Sequence, residues 1–227
     1  MKSTFVDLTT AHDGKHRRGT IPWEKITAVV LHQTACCLAT RESRWYNLRA
    51  QIGIPSPESG PGRIYLVNPV NSLVWHAQAF SKFGVGIEIN GRYEGVVGRY
   101  AKTFWRTPEE RSSGVKPAPS VLTGPMIEAA REAVRYVCHE VSLHGGRVSL
   151  VLAHRQVSRT RAHDPGEAIW RSVGLWSQAE LGLGAGSTST LTGYFTDSGR
   201  EIPEEWTVQR RRLDPDLESR LGLPRRG

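Results

Sequence analysis

The run Ile26–His32 (ITAVVLH) constrains the fold more than any other segment. It is rich in β-branched residues and nearly continuous in its apolar character, as expected of a strand covered on both faces. Such a strand belongs inside an α/β sheet with cover on each side. Val148–Ala153 (VSLVLA) has the same character and runs directly into His154. Gly84–Asn90 (GVGIEIN) alternates in period two and reads as a further strand. Arg63–Asn68 and Leu73–His76 read as two strands paired around the Asn68-Pro69 turn.

Helical signals fall between these strands. Arg41–Ile52 reads as a helix, ended by the turn-rich stretch Gly53–Gly62. Thr123 is a candidate N-cap, and after it Met126, Ile127, Ala130, Val134, Val137 and Val141 share one helical face. Gly145-Gly146 stops that helix, and shorter helical stretches lie around Glu167–Val173 and Ser177–Leu181. The interleaving predicts an α/β fold, a central mixed β-sheet flanked by helices in a single domain with a C-terminal extension. Residues 1–23 read as a polar, irregular N-terminal arm, 24–183 as the folded domain, and 184–227 as a Gly/Ser/Thr-rich linker and basic tail. Glu94–Val121 reads as a long loop, a type of segment that is often functional.

The formal net charge of +8 allows attraction to a polyanion or simple solubility. The basic runs lack interleaved aromatics and match no nucleic-acid motif, so no specific nucleic acid is expected. Arg210–Arg212, close to Asp214 and Asp216, reads as solvated surface. Cys36, Cys37 and Cys138 form neither a disulfide framework nor a CxxC, and Cys138 fits a helix interior. MKSTFVDLTTAHDGKHRRG has no apolar core, and no run reaches membrane-spanning length. Synthesis in a cytoplasm without a signal peptide is the expectation. Action on a target outside that cytoplasm would then need release or delivery. A monomer is expected.

Three polar residues stand at or after apolar strand ends: His32, His154 and, ten residues later, Asp164. Rigid strand ends can fix ligand positions, and three N/O ligands leave a fourth tetrahedral position of zinc open to water. Each residue alone is as consistent with a structural or exposed role. There is no HExxH, and the His12/His16 pair lies in the polar arm with no rigid element to hold it. Glu88 interrupts VGIEIN and shares a strand face with Gly86 and Asn90. A partly desolvated carboxylate suits a general base, but the pattern alone also describes a solvent-facing glutamate.

Four segments in register resemble the zinc amidases that include bacterial amidase-2 enzymes, T7-type lysozymes and animal peptidoglycan recognition proteins. They are AVVLHQTA ending at Ala35, LVWHAQAF at Leu73–Phe80, VGIEIN, and LAHRQVSRTRAHDPG, and the match covers roughly residues 24–183. The resemblance implies an N-acetylmuramoyl-L-alanine amidase acting on peptidoglycan or muropeptides. His32, His154 and Asp164 would bind Zn2+. Glu88 would take a proton from water and pass it to the leaving L-alanine amine. Trp75 and His76 would line the substrate cleft, or His76 would orient a neighbouring ligand. The recycling amidases and T7-type lysozymes of this family usually have a lysine two residues before the third ligand. This chain has Ala162 there, and the flanking Arg161 is the candidate replacement for the missing positive charge. Tyr46 is a weaker candidate near the metal. The rival reading is a non-catalytic muropeptide-binding module, which loss of a ligand would mark.

Overall fold

The structure, a computed structural model, describes residues 3–187, apart from 39, 58–59, 97, 99–110 and 115, together with residues 199–207. The strands are β1 (Thr4–Asp7), β2 (Arg17–Thr20), β3 (Ala28–Gln33), β4 (Ile52–Ile54), β5 (Arg63–Leu66), β6 (Ser72–Val74), β7 (Gly84–Ile89) and β8 (Leu150–Ala153). The helices are α1 (Gly124–Leu143), α2 (His154–Val157), α3 (Glu167–Ile169), α4 (Leu175–Leu181) and α5 (Glu204–Thr207). Six strands form a sheet in the order β1-β5-β4-β7-β3-β8, and β2 pairs with β6 in a separate ribbon. Within the large sheet β4 and β5 are antiparallel and the other pairs are parallel, so the sheet is mixed. No helix among the described residues is long and apolar enough to cross a membrane.

The continuous apolar character of β3 follows from cover on both sides. Val29 and Leu31 join Val85, Ile87, Ile89 and Val151 in the core beneath α1, which buries Met126, Ala129, Ala130, Ala133, Val134, Val137 and Val141. Ala28 and Val30 point the other way, into a smaller cluster with Ala77, Phe80, Leu152 and Val157. Complete burial of each large aliphatic side chain contributes roughly 1.5–3 kcal/mol. Thr123 occupies the N-cap of α1, but its hydroxyl makes no capping bond, and Pro125 stands in the first turn. Gly145 ends the helix at φ +81°, and the Gly146 N–H returns to the Val141 carbonyl at 2.9 Å.

The structure corrects several local expectations. The N-terminal segment is not irregular: β1 runs parallel to β5 at the sheet edge, and β2 pairs with β6. β5 and β6 therefore do not pair with each other, and the Asn68-Pro69 turn passes the chain from one sheet to the other. Arg41–Ile52 holds only a 3₁₀ turn at Glu42–Arg44 before Ile52 enters β4. Its apolar residues do not serve one helical stripe. Trp45 is fully buried with Leu8, Tyr65 and Val67, while Ile52 faces α1. Trp45 also fills the space that a Cβ on Gly53 would need, 2.3 Å from its ring. The two helical stretches after Asp164 are joined by a π-helical turn, Trp170–Gly174. Part of the C-terminal extension belongs to the core, because Trp206 of α5 is fully buried against it. Arg210–Arg212 and most of the Gly/Ser/Thr-rich stretch lie outside the described residues, as does much of Glu94–Val121.

Candidate metal centre

Parallel pairing brings the polar strand ends together. His32 of β3 lies in register with Glu88 of β7, so the two side chains emerge side by side on the same face. β8 flanks β3 on its other side and delivers His154 as the first residue of α2. The turn after α2 folds Asp164 back, with the Arg155 N–H donating to the Asp164 carbonyl oxygen at 3.0 Å. His32, His154 and Asp164 are all buried.

Their ligand atoms converge. His32 Nδ1 lies 2.8 Å from His154 Nδ1, which lies 2.9 Å from Asp164 Oδ2. One donor atom from each of the three residues falls within 4.8 Å of the others. Hydrogen bonds behind the site set the tautomers. His76 Nε2–H donates to the Gly84 carbonyl at 3.0 Å, which leaves His76 Nδ1 as an acceptor. His32 Nε2–H donates to that atom, also at 3.0 Å. The remaining lone pair of His32, on Nδ1, is therefore aimed at His154 and Asp164. Asp164 Oδ1 accepts from the Gln33 N–H at 2.9 Å, leaving Oδ2 for the cluster. The His32 lone pair, the Asp164 carboxylate oxygen and His154 Nδ1, which would bind a metal in place of the proton it donates to Asp164 Oδ2, are a donor set suited to zinc.

Electrostatics favour the uncharged rings that a metal requires. Burial pushes the His32 pKa well below the usual histidine range, and His154, His76 and Arg161 add to the effect. Burial also lowers His76 to about 4, although its bond to Gly84 opposes the shift. Glu88 moves the other way. Burial raises its pKa well above the usual carboxylate range, the charge of Asp164 adds to this, and Arg161 works against it. Glu88 Oε2 is enclosed and has no hydrogen-bond partner among the described residues. An enclosed, unpartnered carboxylate oxygen is costly for folding and well suited to accepting a proton.

Arg161 is exposed and lines a cleft of about 270 Å³ with Gln33, Ala35, Thr160, Ala162, His163 and Asp164. Ala162 leaves the expected lysine position without charge, and the guanidinium beside it reaches both Glu88 and His32 electrostatically. Trp75 is 45% exposed. Of the two roles expected of His76, lining the cleft or orienting a ligand, its geometry fits the second: its ring is buried, and its nitrogens engage His32 and the Gly84 carbonyl. Tyr46 stacks on His12 at 5.6 Å, in the cluster around Leu8 and Trp45.

Two supports were not anticipated. Gln33 holds the floor of the cleft: its amide accepts from the Tyr93 N–H at 2.6 Å and donates to the Tyr93 and His163 carbonyls at 2.9 and 2.7 Å. A polar residue directly after an apolar strand-end histidine was the available sign. Gly86 makes room for the His76 ring, which a Cβ would approach to 2.9 Å. The sign was a glycine two residues before Glu88, on the same strand face.

The fold and this donor set define the class. The N-acetylmuramoyl-L-alanine amidase family model matches residues 22–167, most of the 227-residue chain, and the chain belongs to that family of hydrolases. No curated protein matches the sequence. Among solved structures it is similar to bumblebee PGRP-SA, at 15% identity and a TM-score of 0.52, over 77% of this chain and 96% of that one. It is also similar to the N-acetylmuramoyl-L-alanine amidase LysC of Clostridium intestinale (14% identity, TM-score 0.48, 81% and 100% of the two chains). A third is the Ph2119 endolysin of a Thermus scotoductus bacteriophage (15%, 0.47, 77% and 97%). At these identities the likeness to PGRP-SA shows the fold.

Proposed function

We propose that this chain hydrolyses the amide between N-acetylmuramic acid and L-alanine in peptidoglycan, using a zinc ion held by His32, His154 and Asp164. The observation that carries the reading is the convergence of those three donor atoms beside half-buried Glu88, whose Oε2 is enclosed and unpartnered. When bound, zinc supplies a Lewis acid that acidifies water and polarises a carbonyl. The residues of the chain do the rest. Glu88 accepts a proton from the attacking water, whose oxygen bonds to the scissile carbonyl carbon. The carbon–nitrogen bond then breaks, and Glu88 returns the proton to the L-alanine nitrogen; the second water proton leaves the new carboxylic acid for the amine, giving a carboxylate and an ammonium. Arg161 faces the developing oxyanion from the cleft wall. His76 holds the His32 ring in its tautomer, and the exposed Trp75 indole offers an apolar surface to the substrate. A complete ligand set together with Glu88 favours catalysis over a binding-only module.

Digestion of intact sacculi and of soluble muropeptides tests this reading. The expected product is new L-alanine amino termini without new reducing sugar ends. Reducing ends alone would refute it. Preference for sacculi would indicate a lytic enzyme acting after release or delivery, and preference for muropeptides a recycling one. The Arg161→Ala variant is expected to lose about 10²-fold in kcat, the scale of one oxyanion donor, with zinc content unchanged. Arg161→Lys should recover part of that loss, measured as initial rates on a soluble muropeptide. Replacing His76 by phenylalanine removes the hydrogen bonds to His32 and to the Gly84 carbonyl, and zinc affinity is expected to fall about 10–100-fold in a chelator competition.

A further inference from the structure

Trp206 stands outside the residues matched by the family model, yet it is among the largest fully buried side chains. The segment that carries it crosses behind the turn bearing the second and third candidate ligands. The Arg200 N–H donates to the Arg155 carbonyl at 2.7 Å, and Arg200 Nε–H to the Arg159 carbonyl at 3.2 Å. Gly199 lies so close that a Cβ there would come within 1.9 Å of the Gln156 carbonyl oxygen. Arg171 donates to the Glu205 carbonyl from the other side. The segment is thus tied down along its length, and Trp206 is its anchor.

The contacts of the indole lead to the site. Its Nε1–H donates to the Gly95 carbonyl, in the loop that follows Glu88 and β7. The Arg155 guanidinium carbon sits 5.1 Å above its ring. Arg155 in turn donates from Nη1 to the Ala162 carbonyl, and its backbone N–H donates to the Asp164 carbonyl. Gly95 also abuts His163, whose Nδ1 would lie 2.1 Å from a Cβ at that position. One side chain therefore spans the loop leaving the Glu88 strand and the turn that presents Arg161 and Asp164. Catalytic groups need placement to within about 0.5 Å, and turns reach this only with such bracing.

We infer that Trp206 is a positioning residue. Its indole clamps Arg155 and Gly95, and so fixes the Ala162–Asp164 turn against the strand that carries the general base. The inference rests on the proposed amidase reading for its catalytic consequence alone, since the clamp itself is a property of the chain without metal.

Trp206→Phe and Trp206→Ala in the full chain test it. Phenylalanine keeps a ring over Arg155 and loses the N–H bond to Gly95. In zinc-free protein, amide hydrogen exchange over residues 155–164 is expected to quicken about tenfold or more in the alanine variant and less in the phenylalanine variant. Protection in α1 should stay at the wild-type level. In the same variants the zinc dissociation constant should rise roughly 10–100-fold, as on loss of an outer partner of a ligand, and kcat should fall while KM holds. Unchanged exchange over 155–164 in both variants would overturn the inference, and so would an equal rise in α1, which would mean general loosening. A wild-type chain that neither binds zinc nor cleaves peptidoglycan would defeat the amidase reading and leave the exchange result to decide the clamp.

Discussion

His32→Ala is expected to abolish stoichiometric zinc binding and to lower amide hydrolysis by at least about 10³-fold. Three effects combine at this residue. The variant removes one of three donor atoms, and the two that remain lack the rigid strand position that His32 occupies in β3. It also leaves His76 Nδ1 without the donor that it has in the native chain. Finally, it opens space beside His154, whose ring is centred 4.3 Å from that of His32. The fold should survive. His32 lies on the sheet face opposite α1, where the main core is formed by Val29, Leu31 and their neighbours. Metal analysis and initial rates measure the effect, with far-ultraviolet circular dichroism as the control for folding. Wild-type turnover in a folded variant would remove His32 from the mechanism.

Glu88→Gln carries the second large effect, a fall in kcat of about 10²–10⁴-fold with zinc still bound. The pH profile gives the sharper measurement. Glu88 acts as a base only in its ionised form, so wild-type activity should decline as pH falls through its pKa. The glutamine variant should lack that limb. Stability should move in the opposite direction. A carboxyl whose pKa is higher in the folded chain than in the unfolded one supports folding fully below its unfolded pKa, and that support is lost as pH rises through the folded pKa. At neutral pH the half-buried Glu88 carboxyl, with its enclosed and unpartnered Oε2, is therefore a burden on the metal-free fold. Glu88→Gln should raise the melting temperature of zinc-free protein by about 2–4 °C for each kcal/mol relieved. A variant that was less stable and kept the acidic limb would show that Glu88 is not the base.

The sequence made the centre of the sheet legible because the runs ending at His32 and Ala153 are apolar on both faces, a pattern with few other physical solutions. The candidate site was legible only through the resemblance of four segments in register; strand-end placement alone left each residue equally consistent with a structural role, and the candidates meet because β7, β3 and β8 are parallel neighbours. Other elements depended on distant partners that no local pattern reveals. Thr4–Asp7 becomes a strand because β5 offers it an edge, in a segment whose own composition is polar. Arg41–Ile52 has helical composition, but Trp45 is drawn beneath Gly53 and against Tyr65, and that packing outweighs propensity. The tautomer chain from Gly84 through His76 to His32 spans 52 residues of sequence, and the anchoring of Trp206 at Gly95 spans 111. Such links arise only once the sheet has assembled.

Zinc at His32, His154 and Asp164 is proposed to drive cleavage of the amide to L-alanine. The direct measurement is a zinc titration of chelator-stripped wild-type chain, following release of L-alanine amino termini from peptidoglycan. Activity should be absent in the stripped protein and should rise linearly to a plateau at one zinc per chain, with no recovery in His32→Ala. Full hydrolysis by the metal-free chain would contradict the account.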